Sequence, residues 1–268
     1  CARMQNRVGP PILQAFYDAI KLFGKENLSH EGAGHGFFIW PIIAFASAIM
    51  AALLIPVAGT VALNAGDLLI IIYFLILSSA ALYMAGFSSE NPYAIIGASR
   101  GFMQMIAYEA PFILAILFPV FFYQSMSLSY FNQLQLSNGL LALQFPVAAF
   151  AFLVAVLGKV ELAPFHIPAA HQELVGGYYI EFSGFRLAMV ELTHAVKTVA
   201  LLALGVALFF GGSASILGFV AKTLVLLFLL AVFRATLARF RIEQAIWFYW
   251  TLAGVLVINL TLQHGGFL

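Results

Sequence analysis

An all-α integral membrane protein is the fold class this sequence predicts, and three observations predict it. Of 268 residues, 63% are hydrophobic and only 9% are charged, against about 25% charged in a soluble domain. Seven apolar stretches are each long enough to cross a ~30 Å hydrocarbon core as a helix. Lysines and arginines gather in alternate loops between those stretches, as the positive-inside rule requires. Strands are excluded, because an open sheet edge cannot face lipid.

The chain begins with residues 1–36, read as a cytoplasmic segment. Within it, PPILQAFYDAIKLFGK at 10–25 is too short and too polar to span. Ile12, Phe16, Ile20 and Phe23 recur at helical spacing, while Gln14, Asp18, Lys21 and Lys25 lie elsewhere around the helix. Such a helix lies in the membrane surface. It is either an anchor or the floor of a site between the membrane and a peripheral partner. The spans follow near 37–58, 67–88, 102–123, 142–160, 186–211, 216–236 and 244–263. Pro119 and Pro146 each remove a backbone hydrogen bond and favour a kink. The loops near 89–101 and 161–185 are longer and polar.

Arg3, Arg7, Lys21, Lys25, Arg100, Lys159, Arg186, Arg234, Arg239 and Arg241 all fall on one side of this arrangement. That side is assigned to the cytoplasm of a cell membrane, with 1–36, 89–101, 161–185 and 237–243 exposed there. Of these, Arg3, Arg7, Asp18, Lys21, Lys25, Arg100, Arg239 and Arg241 are the candidate cytoplasmic interface. Lys197 and Lys222 fall inside spans, Lys222 near an outer end where it can snorkel.

Ionisable groups inside apolar segments are costly and mark function by default. Glu109, in IAYEAPFIL, sits about eight residues into its span, so ~12 Å deep. Two readings stand for it: an ion-coupling carboxylate, or a protonated one hydrogen-bonded to a neighbouring helix. Glu191, His194 and Lys197 recur every three residues, each step turning a helix by about −60° and descending ~4.5 Å. An acid, a group titrating near neutrality and a base on one broad face can pass protons with water. The plainer reading is a Glu191–Lys197 pair serving assembly.

The loop 161–185 carries Glu161, His166, His171, Glu173 and Glu181. Its His and Glu spacing matches no zinc pattern, so no metal is assigned. It contacts a partner or lines a polar entry to the membrane. The single cysteine, Cys1, holds no iron–sulfur cluster within the chain. No phosphate-binding glycine pattern or nucleophile triad appears, which leaves no catalytic residue. A net charge of +1 gives nucleic acid no general attraction.

Several stretches together resemble one family. RVGPPILQAFYDAIKLFGKE at 7–26, GDLLIIIYFL at 66–75, NPYAIIGASRG at 91–101, ARFRIEQ at 238–244 and PFHIPAAHQELVGGYYIEFSG at 164–184 are similar to the anchor subunit of membrane-bound, energy-converting hydrogenases. That family includes the subunit 1 (H-type) protein of respiratory complex I. The resemblance covers nearly the whole chain, and its mixture of features suits an archaeal or bacterial complex related to both types. It implies eight spans, one of them before Cys1. It also implies a docking platform for peripheral hydrogenase-like large and small subunits and a ferredoxin-like iron–sulfur subunit. Antiporter-like subunits would lie alongside in the bilayer. Iron–sulfur clusters, and a nickel–iron or other redox site, would then belong to those partners, with none in this chain. Family glutamates couple redox chemistry to movement of H⁺ or Na⁺, a role carried here to Glu109, Glu173, Glu181 and Glu191.

Where the family loop reads PFD-P-EAE-EL, this chain has His166, Ala169 and His171. That loss of carboxylates moves the expected coupling weight towards Glu109 and Glu191. The expected function is a membrane-anchor and coupling subunit under a hydrogenase-like or sulfur-reducing arm. The alternatives are the quinone-site subunit of a complex I-type dehydrogenase and a self-standing secondary transporter. The sequence shows neither the internal repeat nor the paired broken spans that transporters often carry.

Overall fold

The computed structural model describes residues 6, 8–11, 13–28, 34–57, 67–169, 171–213 and 215–264. Arg3 and Arg7 lie outside them, and so does the side chain of His171. The described residues are mainly helical, with an isolated antiparallel bridge between Asp67 and Ser127. The helices are α1 (Gln14–Phe23), α2 (His35–Leu54), α3 (Leu68–Phe87), α4 (Pro92–Tyr123), α5 (Leu128–Asn138), α6 (Leu141–Gln144), α7 (Pro146–Lys159), α8 (His171–Leu174), α9 (Gly184–Leu208), α10 (Ile216–Thr236) and α11 (Ile242–His264), with a 3₁₀ turn at Gly177–Tyr179.

Six of these are long and apolar enough to cross a membrane: α2, α3, α4, α9, α10 and α11. The predicted span 142–160 is instead broken. Phe145 leaves helical geometry, with φ −123° and ψ 65°, and Pro146 starts α7 as its first residue. Proline has no N–H to continue a helix but is preorganised to begin one, so the expected kink is a full interruption. The predicted loop 89–101 is corrected as well. Asn91 caps the helix by accepting from Tyr93 N at 2.9 Å, and Pro92 follows as its first residue. α4 therefore starts ten residues early and runs ~48 Å, more than a bilayer core requires. Arg100 rides on this extension.

Packing runs from α9 through α2, α3 and α4 to α7 and α11, while α10 packs on α9. Small residues make the close approach: Ala44, Ser47, Ala48 and Ala51 of α2 are all buried. Little hydrophobic drive separates helix from lipid, so tight backbone contact carries the association. At the end away from the polar loops, α5 fastens the exit from α9. Gln135 donates to Ala207 O at 2.7 Å and accepts from Gly211 N at 2.6 Å. Lys222 donates to Gly211 O at 2.9 Å and to Gly212 O at 2.7 Å, consistent with snorkelling towards that end.

The loop after α7 does not stay at the surface. Its 3₁₀ turn presses against α3 and α4. A β-carbon on Gly86 would lie 2.6 Å from Tyr178 Cβ, and one on Gly97 would lie 2.8 Å from Tyr178 N. Glycine at both points lets the turn sink into the bundle and brings Tyr178 to complete burial.

Candidate functional site

α7 ends inside the protein, and this places the site. Val160 and Glu161 turn the chain back, with Glu161 N donating to Gly158 O at 3.0 Å and Leu162 N to Leu157 O at 3.0 Å. Glu161 adopts φ +56°, uncommon for a residue with a side chain. Such backbone strain gathers at functional sites. The turn sends the Glu161 carboxylate into the bundle, where the residue is 5% exposed.

Three hydroxyl and ring groups converge there. Tyr83 OH donates to Glu161 Oε1 at 2.9 Å. Tyr178 OH lies 3.2 Å from each Glu161 oxygen and 2.7 Å from His194 Nε2. A phenol has one proton to give. If Tyr178 donates to Glu161, then His194 must donate to Tyr178; if Tyr178 donates to His194, the carboxylate loses that donor. The trio therefore has two proton arrangements, which differ both in the rotation of the Tyr178 hydroxyl and in whether His194 Nε2 carries a proton. Burial, and then the Glu161 charge, push the Tyr178 phenol well above its ordinary range, so it works as a neutral hydroxyl. His166 Nδ1 meets the Glu161 carbonyl at 2.9 Å from the loop side.

Beside this trio lies a cavity of about 430 Å³, bordered by Glu161, His166, Tyr179, Glu191, His194 and Arg234. Burial, with Glu191 next, pushes the Tyr179 phenol up to about 12. Glu191 is exposed at this cavity, whereas Lys197, six residues on, is fully buried. The predicted ladder thus divides. Glu191 and His194 face the cavity, while Lys197 points to Ser79 Oγ at 3.5 Å. The Glu191–Lys197 pair does not form.

A second buried group is the ion pair of Lys159 with Glu109, across α7 and α4. Lys159 Nζ also sits 4.4 Å from the centre of the Phe112 ring and 5.4 Å from that of Tyr108. Lys159, which the sequence groups with the basic residues of the cytoplasmic side, ends α7 next to the loop and is fully buried. The apolar surface of α7 carries it inward, and a charge so placed needs a partner. Glu109 Oε2 and Tyr108 OH are both buried and have no hydrogen-bond partner among the described residues. Tyr108 faces Ser79 and Tyr83. These buried side chains make a polar row that is hydrogen-bonded at its two ends, Tyr83 to Glu161 and Lys197 to Ser79, while Tyr108 between them makes no hydrogen bond among the described residues.

The rest of the loop is fastened from outside. Glu173 takes Arg100 at 2.7 Å and is also paired with Arg239, which joins it to α4 and to the segment before α11. Glu181 accepts from Asn91 at the start of α4. Arg241 bonds through its backbone to Gln244, and Asp18 accepts from Gln14 within α1. Lys21 and Lys25 are exposed. The hydrogen bond from Arg100, supported by Arg239, holds the Glu173 carboxyl below the usual range. A depressed folded pKa gives a tether that is complete above the unfolded pKa and fails as pH falls through the folded one. Protection of residues 171–176 against hydrogen exchange, taken relative to the intrinsic rate at each pH, should therefore be the same at pH 7 and pH 5 and fall only below the ordinary carboxylate range. Molar salt should loosen the same segment at pH 7, since exposed pairs are screened. Opening between pH 7 and 5 would show that this tether does not hold the loop.

The sequence singled out Glu109, Glu161, Glu191, His194 and Lys197, and the structure brings all five into or beside these two groups. It missed Tyr83, Tyr108, Tyr178 and Ser79, which read as ordinary members of apolar stretches. One signal was available: GGYY pairs turn glycines with aromatic residues that carry hydroxyls. Glu173 and Glu181 are surface fastenings, away from the buried trio.

The sequence profile of the NADH dehydrogenase family matches residues 1–264. The H-type chain of NADH-quinone oxidoreductase from Dehalococcoides mccartyi is 34% identical over 258 residues, covering 91% of this chain and 71% of the relative. Its counterpart from Brevibacillus brevis is 34% identical over 274 residues, covering 96% and 81%. Among solved structures, a chain of the membrane-bound sulfane sulfur reductase, an archaeal respiratory membrane complex, superposes with a TM-score of 0.90 at 30% identity, over 97% of this chain and 90% of that one.

Proposed function

Since the chain belongs to the NADH dehydrogenase family, we propose that it is the membrane subunit of a complex I-like respiratory complex, and that it couples a docked redox arm to ion movement through Glu161. The observation that carries this is the buried carboxylate shared, through one phenol, with a histidine at a cavity.

The loop 161–185 is the docking element, on the cytoplasmic side by its basic surroundings. Peripheral subunits of the hydrogenase-like or sulfur-reducing kind, with their iron–sulfur clusters, would sit on it. Antiporter-like subunits would lie alongside in the bilayer. Displacement of the loop moves Tyr178, because loop and phenol are one segment. That movement switches the proton arrangement between His194 and Glu161. Glu191 passes protons between the cavity and His194. The row from Tyr83 to Lys197 carries the change inward, and the Glu109–Lys159 pair adjusts its charge beside it.

In the whole complex reconstituted into vesicles, Glu161→Gln should keep electron transfer near the wild-type rate and lose most of its ion pumping. The glutamine keeps the shape and accepts both tyrosines but cannot cycle a proton. Wild-type pumping per electron in that variant would exclude the assignment.

A further inference from the structure

The chain also presents a charged corner that the coupling scheme does not use, where α1, α2 and α9 meet. Arg186 lies in the first turn of α9. Its guanidinium carbon stands 3.9 Å from the centre of the Phe38 ring and 5.2 Å from that of Phe37, both at the start of α2. Two ring faces fix the group in place. Among the described residues it makes no ion pair, and its Nη1 nitrogen is buried without an acceptor. A guanidinium has five N–H donors and no means of shedding its charge. An anion is what this arrangement lacks.

α1 supplies the second observation. None of its residues is buried. Phe16 is 67% exposed, Ile20 69% and Phe23 48%, all on one side of the helix. Yet α1 is held firmly against α9. Phe23 packs on Phe185 with ring centres 5.7 Å apart, Phe185 N donates to Asn27 Oδ1 at 2.8 Å, and Leu28 N donates to Ser183 Oγ at 2.9 Å. A helix docked with its apolar side outward, next to the ends of two spanning helices, lies in the headgroup layer. Lys21 flanks that apolar side, and Lys25 follows the helix end. Both cations and Arg186 then lie at headgroup depth, where anionic lipids are attracted.

We propose that this corner binds the phosphate of an anionic phospholipid, with Arg186 as the main ligand, Lys21 and Lys25 as supporting charges, and acyl chains against the exposed residues of α1. Arg186 fits the part because its planar fork matches phosphate oxygens. The assignment is independent of the coupling mechanism and stands or falls without it.

Spin-labelled phosphatidylglycerol, added to the intact complex in phosphatidylcholine nanodiscs, tests it. The wild type should immobilise the labelled lipid in preference to labelled phosphatidylcholine. Arg186→Gln should lower that preference about fivefold, the effect of one cation at a membrane surface, and Arg186→Lys should restore part of it. Because Arg186 also packs on two rings, the surface variant Lys21→Gln/Lys25→Gln serves as a second arm and should weaken the preference while leaving the packing of Arg186 on Phe37 and Phe38 intact. Millimolar inorganic phosphate should leave the labelled lipid in place. Equal retention in wild type, Arg186→Gln and the double variant would overturn the proposal, and so would release by free phosphate, which would mark a soluble-anion site instead.

Discussion

Lys159→Met should lower the stability of the assembled complex by about 3–5 kcal/mol, the usual cost of removing one partner from a buried ion pair. Lys159 is fully buried and Glu109 is 8% exposed, so neither charge reaches water. Without the lysine, the Glu109 carboxylate keeps only low-dielectric surroundings and must take up a proton. Glu109→Gln should cost a similar amount, because it strands the ammonium between Phe112 and Tyr108. The double variant Lys159→Met/Glu109→Gln should recover most of the loss, since no uncompensated charge remains. Thermal inactivation of the purified complex, compared across all four proteins, gives the coupling energy. Additive single losses would mean that the two side chains do not form a pair.

Tyr178→Phe should have the largest effect on proton movement for the least change in structure. One oxygen disappears, Tyr83 still holds Glu161, and the ring keeps its edge contact with Tyr83 at 5.3 Å between centres. The link between His194 and Glu161 is nevertheless cut. Proton transfer should slow on the order of a hundredfold, the low end of what a positioned proton donor contributes. Stability should fall by only about 1 kcal/mol for the lost hydrogen bond. Pumping by vesicles, measured with a pH-sensitive dye against turnover, separates the two effects. Unchanged pumping with intact turnover would remove Tyr178 from the path.

How much of this was legible beforehand follows from where each signal resides. Composition and run length sufficed for the spanning helices, because a bilayer leaves almost no other structure open. Pro146 announced trouble in its span, but its severity depends on Phe145, whose backbone angles no pattern reports. Glu109 stood out as a carboxylate in an apolar run. Its partner did not, since Lys159 at the end of an apolar stretch looks like any interfacial lysine. Only the packing of α7 against α4, fifty positions apart in sequence, tells the two apart.

The loop taught the reverse lesson. The loss of carboxylates at His166, Ala169 and His171 moved the expected weight onto Glu109 and Glu191. Glu161, at the edge of the loop, proves to be the most connected buried acid, because a left-handed backbone turn sends it inward. Tyr83 and Tyr178 are 95 residues apart in sequence and meet only through glycines that let a loop sink between helices. A lone tyrosine in an apolar run carries no mark of such a meeting.

The central claim is that Glu161 gains and loses a proton as the complex turns over. Infrared difference spectroscopy of the reduced minus the oxidised complex measures that event directly, in the region of the protonated carboxyl C=O stretch. A band should appear on reduction in the wild type, shift on exchange into heavy water, and vanish in Glu161→Gln while the bands of the redox centres remain. A spectrum in which that carboxyl band is the same in wild type and Glu161→Gln would contradict the account.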